Sequence, residues 1–97
     1  MGFFQKLFGM GKKDELKVLL DRGALLIDVR SRDEFNSGHA AKAINIPLQM
    51  LIQSTKSLKG KNVIAVCKSG ARSAMAVTML QKEGVNAFNG GAWNNWQ

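Results

Sequence analysis

The spacing of hydrophobic positions changes along the chain, and each spacing predicts either a helix or a strand. Leu16, Leu19 and Leu20 are three and four residues apart, which is typical of a helix with one buried face; Asp14 is suited to cap it and Gly23 to end it. Elsewhere the apolar residues form short, nearly continuous runs, which is typical of strands that are buried on both faces of a sheet. The predicted strands cover 25–30, 43–46, 62–66 and 85–88.

Helices are predicted in the segments that separate these strands. They cover 14–22, 32–36, 48–52 and 73–83, and a last helix is predicted to begin within 92–97. Segment 54–60 is expected to return the chain to the next strand, and Gly90-Gly91 to form a turn. The alternation of strands and helices implies an α/β fold, with a parallel sheet and helices on both of its faces.

The first thirteen residues differ from the rest of the chain. Their apolar side chains share one face of a short helix, which Gly9 and Gly11 interrupt: Phe3, Phe4, Leu7 and Phe8. Such a face suits docking on a membrane surface, but a helix of about two turns is too short to be stable alone. We therefore interpret 1–13 as a lead segment, either flexible or a short helix packed on the domain, and predict a single folded domain over 14–97.

Composition narrows the possible classes of protein. Hydrophobic residues make up 45% of the chain, which fits a globular domain, and no apolar run approaches the ~20 residues of a membrane span. The net charge of +7 favours anionic partners, but the lysines are scattered and no basic stripe alternates with aromatics, so we expect no nucleic-acid binding. A single cysteine excludes an intramolecular disulfide, and we expect a monomer in a reducing cytoplasm.

One short segment combines several features that activate a thiol. Cys67 follows the predicted strand 62–66 directly, so it lies at the carboxyl edge of the sheet, where ligands of such folds bind. The next residues form a loop with Gly70, whose backbone N–H groups are suited to an anion nest, and a helix begins after it. Lys68 and Arg72 add two positive charges. These features favour the thiolate, so we interpret Cys67 as a nucleophile with a pKa below about 8.5 rather than as a small buried hydrophobic residue.

Several short motifs, taken in order, resemble those of the rhodanese-like domain family. They are Ile27-Asp28-Val29-Arg30, Glu34-Phe35, Gly38-His39, Ala43-Ile44-Asn45-Ile46-Pro47, Cys67-x-x-Gly70-x-Arg72-Ser73 and a Gly90-Gly91 pair followed by tryptophan. Any one of them is too short to be specific, but together they cover about 14–96. One departure is Ala41-Lys42, where the family more often has a large apolar residue and a glycine.

The resemblance implies a fold and a reaction. It implies a sheet of about five parallel strands with helices on both faces, and a single-domain sulfurtransferase that needs no metal or other cofactor. Cys67 would attack the outer sulfur of a small anionic donor such as thiosulfate, carry the sulfur as a persulfide, and pass it to cyanide or a thiol acceptor. The persulfide would be bound by the loop after the cysteine: Lys68, Ser69, Gly70, Ala71, Arg72 and Ser73.

Two other functions remain open from the sequence. The first is a non-catalytic module of the same fold, which either carries sulfur on Cys67 for a specific partner or serves as a docking domain. The second is a phosphatase or an arsenate reductase. Relatives with these activities have five residues between the cysteine and the arginine, whereas four residues separate Cys67 from Arg72 here, which disfavours this function.

Four polar residues outside the loop are predicted to support its structure. Asp28 and Arg30 are interpreted as a buried pair or network that braces neighbouring loops, with Glu34 as part of the same bracing. His39 is the only histidine of the chain, which excludes a cluster of histidine metal ligands. Its position in the Gly-His motif suggests a structural hydrogen bond rather than a catalytic base.

Overall fold

Helices and strands alternate as predicted in a computed structural model, which describes residues 12–97. The strands are β1 (Leu25–Asp28), β2 (Ala43–Asn45), β3 (Asn62–Cys67) and β4 (Asn86–Ala92). The α-helices are α1 (Lys12–Asp21), α2 (Arg32–Asn36), α3 (Leu51–Leu58) and α4 (Ala71–Lys82), and two 3-10 turns cover Leu48–Met50 and Trp93–Trp96. The predicted lead segment lies outside the described residues, except for Lys12 and Lys13, which open α1.

All strands of the sheet are parallel and follow the order β2-β1-β3-β4. Residues 12–97 thus form four strands, not the five or so that the family resemblance implied, because only four segments have the apolar pattern of a strand. In this register Asp28 pairs with Asn45 on one side and with Val66 on the other, while Cys67 pairs with Ala92. The carboxyl ends of the strands therefore meet at one edge, which holds the thiol.

The sheet has a hydrophobic core on each face, because successive strand side chains point to opposite sides. One core packs the sheet against α3 and α4, and its largest fully buried members are Ile27, Val29, Leu51, Val63 and Leu80. The sulfur-bearing Cys67 belongs to this core. The other core packs the sheet against α1 and the C-terminal turn, and includes Leu16, Leu19, Leu26, Ile64, Val66 and Trp96.

The elements differ from the sequence prediction in two places. The predicted helix 48–52 is a 3-10 turn followed by α3, and α3 continues through most of 54–60, which was predicted to be a return segment. The reason is a buried stripe at helical spacing on α3, formed by Leu51, Thr55 and Leu58. Within residues 12–97 no helix combines the length and the apolar character that crossing a bilayer requires.

The second difference concerns β4, which continues through the glycine pair that was predicted to form a turn. Ala65 pairs with Asn89 and Val66 with Gly91, so Gly90 is an extra residue in β4 and forms a bulge. A side chain at Gly90 would place its Cβ 2.8 Å from Ile64 Cγ2 and 2.9 Å from Val66 Cγ1, so only glycine fits there. The Trp96 indole donates a hydrogen bond to the Gly90 carbonyl (2.9 Å), which fixes the C-terminal turn against this strand.

Candidate active site

The sulfur of Cys67 lies at the bottom of a tight loop and is almost fully buried, with 1% of the residue exposed. Two backbone N–H groups donate to Sγ, that of Gly70 at 3.0 Å and that of Ser73 at 3.4 Å. The Ser73 hydroxyl lies 3.4 Å from the same sulfur. Gly70 has φ +104°, a backbone conformation that favours glycine, and this conformation turns the chain back over the sulfur.

These contacts decide the acidity of the thiol. Burial raises the pKa of Cys67, but the Ser73 hydroxyl and the backbone N–H groups of Ser73, Gly70 and Ser69 outweigh this effect, so the pKa lies below its ordinary value. Hydrogen bonds to the charged form lower the pKa of an acid, whereas removal from water raises it. The thiolate is therefore held by placed hydrogen-bond donors, whereas the sequence also suggested the charges of Lys68 and Arg72.

Asn89 completes the hydrogen bonding of the loop, although the sequence analysis did not single it out. Its Oδ1 accepts from the Ser73 hydroxyl (2.7 Å) and from the Gly91 N–H (2.9 Å), while its Nδ2 donates to the Gly70 carbonyl (3.2 Å). Asn89 belongs to β4, which neighbours β3 in the sheet. Its position before a glycine pair gave no signal, because its role depends on which strand pairs with the one carrying Cys67.

Arg72 forms a two-pronged ion pair with Glu34. Its Nη1 and Nη2 donate to the two carboxylate oxygens of Glu34 at 2.7 Å and 3.0 Å. The Arg72 side chain lowers the pKa of Glu34 to about 2, helped by the backbone N–H of Ser31. The carboxylate in turn raises the pKa of Arg72. The carboxylate of Glu34 thus joins the active-site loop to α2, while its backbone carbonyl accepts a hydrogen bond from Arg30.

Of the other loop residues, Ser69 acts on the sulfur through its backbone N–H. Lys68, Ser69 and Ala71 are exposed. A cleft of about 500 Å³ opens beside the loop, and its lining includes the following residues: Lys12, Lys13, Ser69, Gly70, Asn89, Gly91 and Trp96. Cys67 itself is not among the residues that line this cleft.

Asp28 and Arg30 form the pair that the sequence predicted, and both are buried, with 0% and 4% of each residue exposed. Arg30 donates from Nη2 (2.7 Å) and Nε (2.9 Å) to the Asp28 carboxylate. It also donates to the carbonyls of Gly38 (2.8 Å) and Glu34 (3.3 Å), and its guanidinium lies 4.5 Å from the centre of the Trp93 ring. The Arg30 side chain therefore joins the end of β1 to α2, to Gly38 just after α2, and to the C-terminal turn.

Asn45 also stabilises the carboxyl edge of the sheet, although the sequence analysis did not select it. Its Nδ2 donates to the carbonyls of Asp28 (2.9 Å) and Arg30 (3.0 Å). His39 lies farther out and is exposed; its Nδ1 is 2.8 Å from the Phe35 carbonyl, and its ring stacks on the Phe35 ring with centroids 3.7 Å apart. Among the described residues no group of three or more His, Cys, Asp or Glu side chains is arranged to hold a metal ion.

Known proteins that are similar to this chain include sulfurtransferases. The human single-domain sulfurtransferase TSTD1 has a solved structure that superimposes with a TM-score of 0.74 at 31% sequence identity, over 86% of this chain and 89% of that one. Thiosulfate sulfurtransferase 18 of Arabidopsis thaliana is 34% identical over 99 residues, which cover 84% of this chain and 73% of the relative.

A third similarity is to part of a much longer protein. The tRNA sulfurtransferase of Thermoplasma acidophilum is 33% identical over 73 residues, which are 75% of this chain but only 15% of that protein. The sequence profile of the rhodanese-like domain matches residues 12–97, the whole of the described structure. The chain therefore belongs to the rhodanese-like domain family.

Proposed function

We propose that this protein is a sulfurtransferase that carries sulfur as a persulfide on Cys67. In the first step the Cys67 thiolate attacks the outer sulfur of thiosulfate; the sulfur–sulfur bond of the donor breaks, and sulfite leaves with the electron pair. In the second step cyanide or a thiolate attacks the outer sulfur of the persulfide. Thiocyanate or a new persulfide forms, and Cys67 leaves as a thiolate, ready for the next donor.

The hydrogen bonds to the sulfur are the observation that carries this proposal. In the first step the thiolate is the attacking group, so donors that lower the pKa of Cys67 increase the fraction that can react. In the second step it is the leaving group, and the same donors stabilise the charge that develops on Sγ. The N–H groups of Gly70 and Ser73 already point at Sγ, at 3.0 Å and 3.4 Å. Fixed N–H dipoles of this kind act as an oxyanion hole does, because they need no rearrangement when the charge develops.

The remaining predicted residues have distinct roles in this proposal. Lys68, at the exposed rim of the loop, attracts the anionic donor through its charge. Arg72 holds the loop to α2 through Glu34, and Asp28 and Arg30 hold the sheet edge on which the loop rests. The roles of Arg72, Asp28 and Arg30 are positioning roles, because their side chains hold the structure around the sulfur rather than the sulfur itself.

A second candidate function is a sulfur carrier or docking module that acts only with a partner protein. The similarity to the tRNA sulfurtransferase favours it, because there the matching segment is a small part of a longer protein. In such a module Cys67 would still accept sulfur, but small donors and acceptors would react slowly.

Intact-mass measurement after incubation with thiosulfate separates the two functions. An enzyme gains one sulfur atom, loses it on addition of cyanide, and forms thiocyanate over many turnovers; Cys67→Ala shows none of these changes. A gain of sulfur with very slow turnover favours the carrier. If neither added sulfur nor thiocyanate is detected, the enzyme proposal is wrong and the docking module is the better account.

A further inference from the structure

The Ser73 hydroxyl has a single proton but three possible acceptors. Its Oγ lies 2.7 Å from Asn89 Oδ1, 3.1 Å from the Gly70 carbonyl oxygen and 3.4 Å from Cys67 Sγ. A hydroxyl donates one hydrogen bond and accepts through its lone pairs, so donation to one neighbour withholds the proton from the other two. Ser73 is fully buried, and its three neighbours therefore compete within a closed site.

The orientation of the Asn89 amide is fixed by two backbone groups. The Gly91 N–H can only donate, and it faces Oδ1 at 2.9 Å; the Gly70 carbonyl can only accept, and it faces Nδ2 at 3.2 Å. A flipped amide would lose both bonds. The atom that faces Ser73 is therefore an oxygen, which can only accept, and the shortest bond of the hydroxyl is a donation to Asn89.

This arrangement has opposite consequences for the two forms of the thiol. While the Ser73 proton points to Asn89, a lone pair of Oγ faces the sulfur, where it accepts a hydrogen bond from a protonated Cys67 but gives nothing to a thiolate. To stabilise the thiolate, the proton must rotate from Asn89 to Sγ. We propose that Asn89 is a positioning residue that competes with the Cys67 sulfur for the Ser73 hydroxyl proton, and so sets the balance between thiol and thiolate.

Asn89 and Ser73 are both neutral, so replacing either of them by alanine changes no formal charge. The charged side chains of the elements around the site include Lys12 and Lys13 of α1, Asp28 at the end of β1 with Arg30 just after it, Glu34 of α2, Lys68 of the loop and Arg72 of α4. All of them stay in place when Asn89 or Ser73 is replaced by alanine. A difference in the pKa of Cys67 between these variants therefore reflects the orientation of the Ser73 hydroxyl proton and not a change in charge.

A double-mutant cycle on the free thiol tests the proposal. The pKa of Cys67 is read from the ultraviolet absorbance of the thiolate and from the pH dependence of iodoacetamide alkylation, in wild type, Asn89→Ala, Ser73→Ala and the double variant. We expect Asn89→Ala to lower the pKa by roughly half a unit to one unit, because Ser73 is then free to donate to the sulfur. In the Ser73→Ala background, Asn89→Ala should have no effect on the pKa, because the hydroxyl proton for which the two groups compete is gone.

Asn86→Ala is the matched control, because Asn86 lies on the same strand and bonds Asn62 far from the loop. The proposal is wrong if Asn89→Ala leaves the pKa unchanged or raises it, or if its effect is equal with and without the Ser73 hydroxyl. Should Asn89→Ala fail to fold, Asn89→Asp keeps a stronger acceptor facing Ser73. It should raise the pKa, and by more when Ser73 is present than in Ser73→Ala.

This inference rests on the proposed function in one respect: the thiolate form of Cys67 matters because the proposed reaction uses it. The titration uses no sulfur donor and no acceptor, so its outcome is independent of whether sulfur is transferred. If the effects of Asn89→Ala and Ser73→Ala on the pKa of Cys67 are coupled but the protein forms no persulfide, only the sulfurtransferase proposal is contradicted. Additive effects in an active sulfurtransferase would contradict the role of Asn89 alone.

Discussion

Two arginine–carboxylate pairs support the same edge of the sheet, yet they differ in burial and in span. Arg30 and Asp28 are two residues apart and have 5% and 0% of their side chains exposed. Arg72 and Glu34 are 38 residues apart and remain 37% and 34% exposed. The buried pair fixes the scaffold on which the site is built. The exposed pair joins the active-site loop to a separate helix, where solvent and anionic reactants have access to it.

The difference in burial predicts that one pair contributes to the free energy of unfolding and the other to the rate of sulfur transfer. A buried charge without its partner is strongly destabilising, whereas exposed ion pairs contribute little to the free energy of unfolding. Loss of the buried pair should therefore mainly lower the free energy of unfolding. Loss of the exposed pair should change the chemistry and leave the domain folded.

The largest effect is expected for Arg30→Met, which leaves the Asp28 carboxylate buried and unpaired. The free energy of unfolding, measured by urea denaturation, should fall by about 3 kcal/mol or more. Arg22→Met is the control, since Arg22 is exposed, and it should change this free energy by no more than about 0.5 kcal/mol. Equal losses in the two variants would mean that Arg30 does not brace the scaffold.

Arg72→Ala should weaken sulfur transfer by about tenfold or more in kcat/KM with thiosulfate, at every salt concentration. The physical reason is the loss of two placed hydrogen bonds that hold the loop, together with a charge. Glu34→Gln is the matched variant: it keeps an acceptor for Arg72 and should cause a smaller decrease. If Arg72→Ala retains full kcat/KM while its unfolding free energy falls sharply, the contrast between the two pairs is wrong.

Lys68→Ala should raise the KM for thiosulfate a few-fold at low salt and have no effect at high salt. Lys68 is exposed at the rim of the loop, and fields between exposed charges are screened over ~8 Å at physiological ionic strength. Lys61→Ala, at the opposite end of β3, removes the same charge away from the site and should leave the KM unchanged. A salt response of Lys68→Ala identical to that of Arg72→Ala would contradict the separate roles of the two cations.

The smallest effect is a pH dependence of stability from Glu34. Its pKa is lowered from 4.5 to about 2 in the folded protein, so the native state favours the charged carboxylate. The stabilisation is fully present above pH 4.5, and it is lost as the pH falls from there through about 2. The difference in unfolding free energy between wild type and Glu34→Gln should shrink across this range. A difference that is constant or grows toward low pH would show that the ion pair does not shift the carboxylate.

Local patterns predicted most of the site, and non-local contacts account for the rest. The apolar run before Cys67 and the glycine after it are adjacent in sequence, so strand, loop and helix could be predicted together. The partner of Arg72 could not be predicted, since Glu34 is 38 residues away on a different helix. The role of Asn89 depends on which strand lies next to Cys67, and the order of strands in a sheet is not encoded in local spacing.

The glycine pair of β4 shows the same limit. A Gly-Gly pair is a strong turn signal in a sequence, but here Gly90 allows close contact with Ile64 and Val66 of the neighbouring strand. The need for glycine came from packing between strands rather than from the local backbone. The boundaries of β4 were wrong for this reason, while its existence and its place in the chain were right.

A single-turnover experiment shows whether Cys67 holds one transferable sulfur. The protein is loaded with thiosulfate, freed of unbound donor by desalting, and mixed with cyanide. Since the chain has one cysteine, we predict one thiocyanate for each protein chain and none from Cys67→Ala treated in the same way. Thiocyanate far below one per chain from wild type, or an equal amount from Cys67→Ala, would contradict the persulfide account.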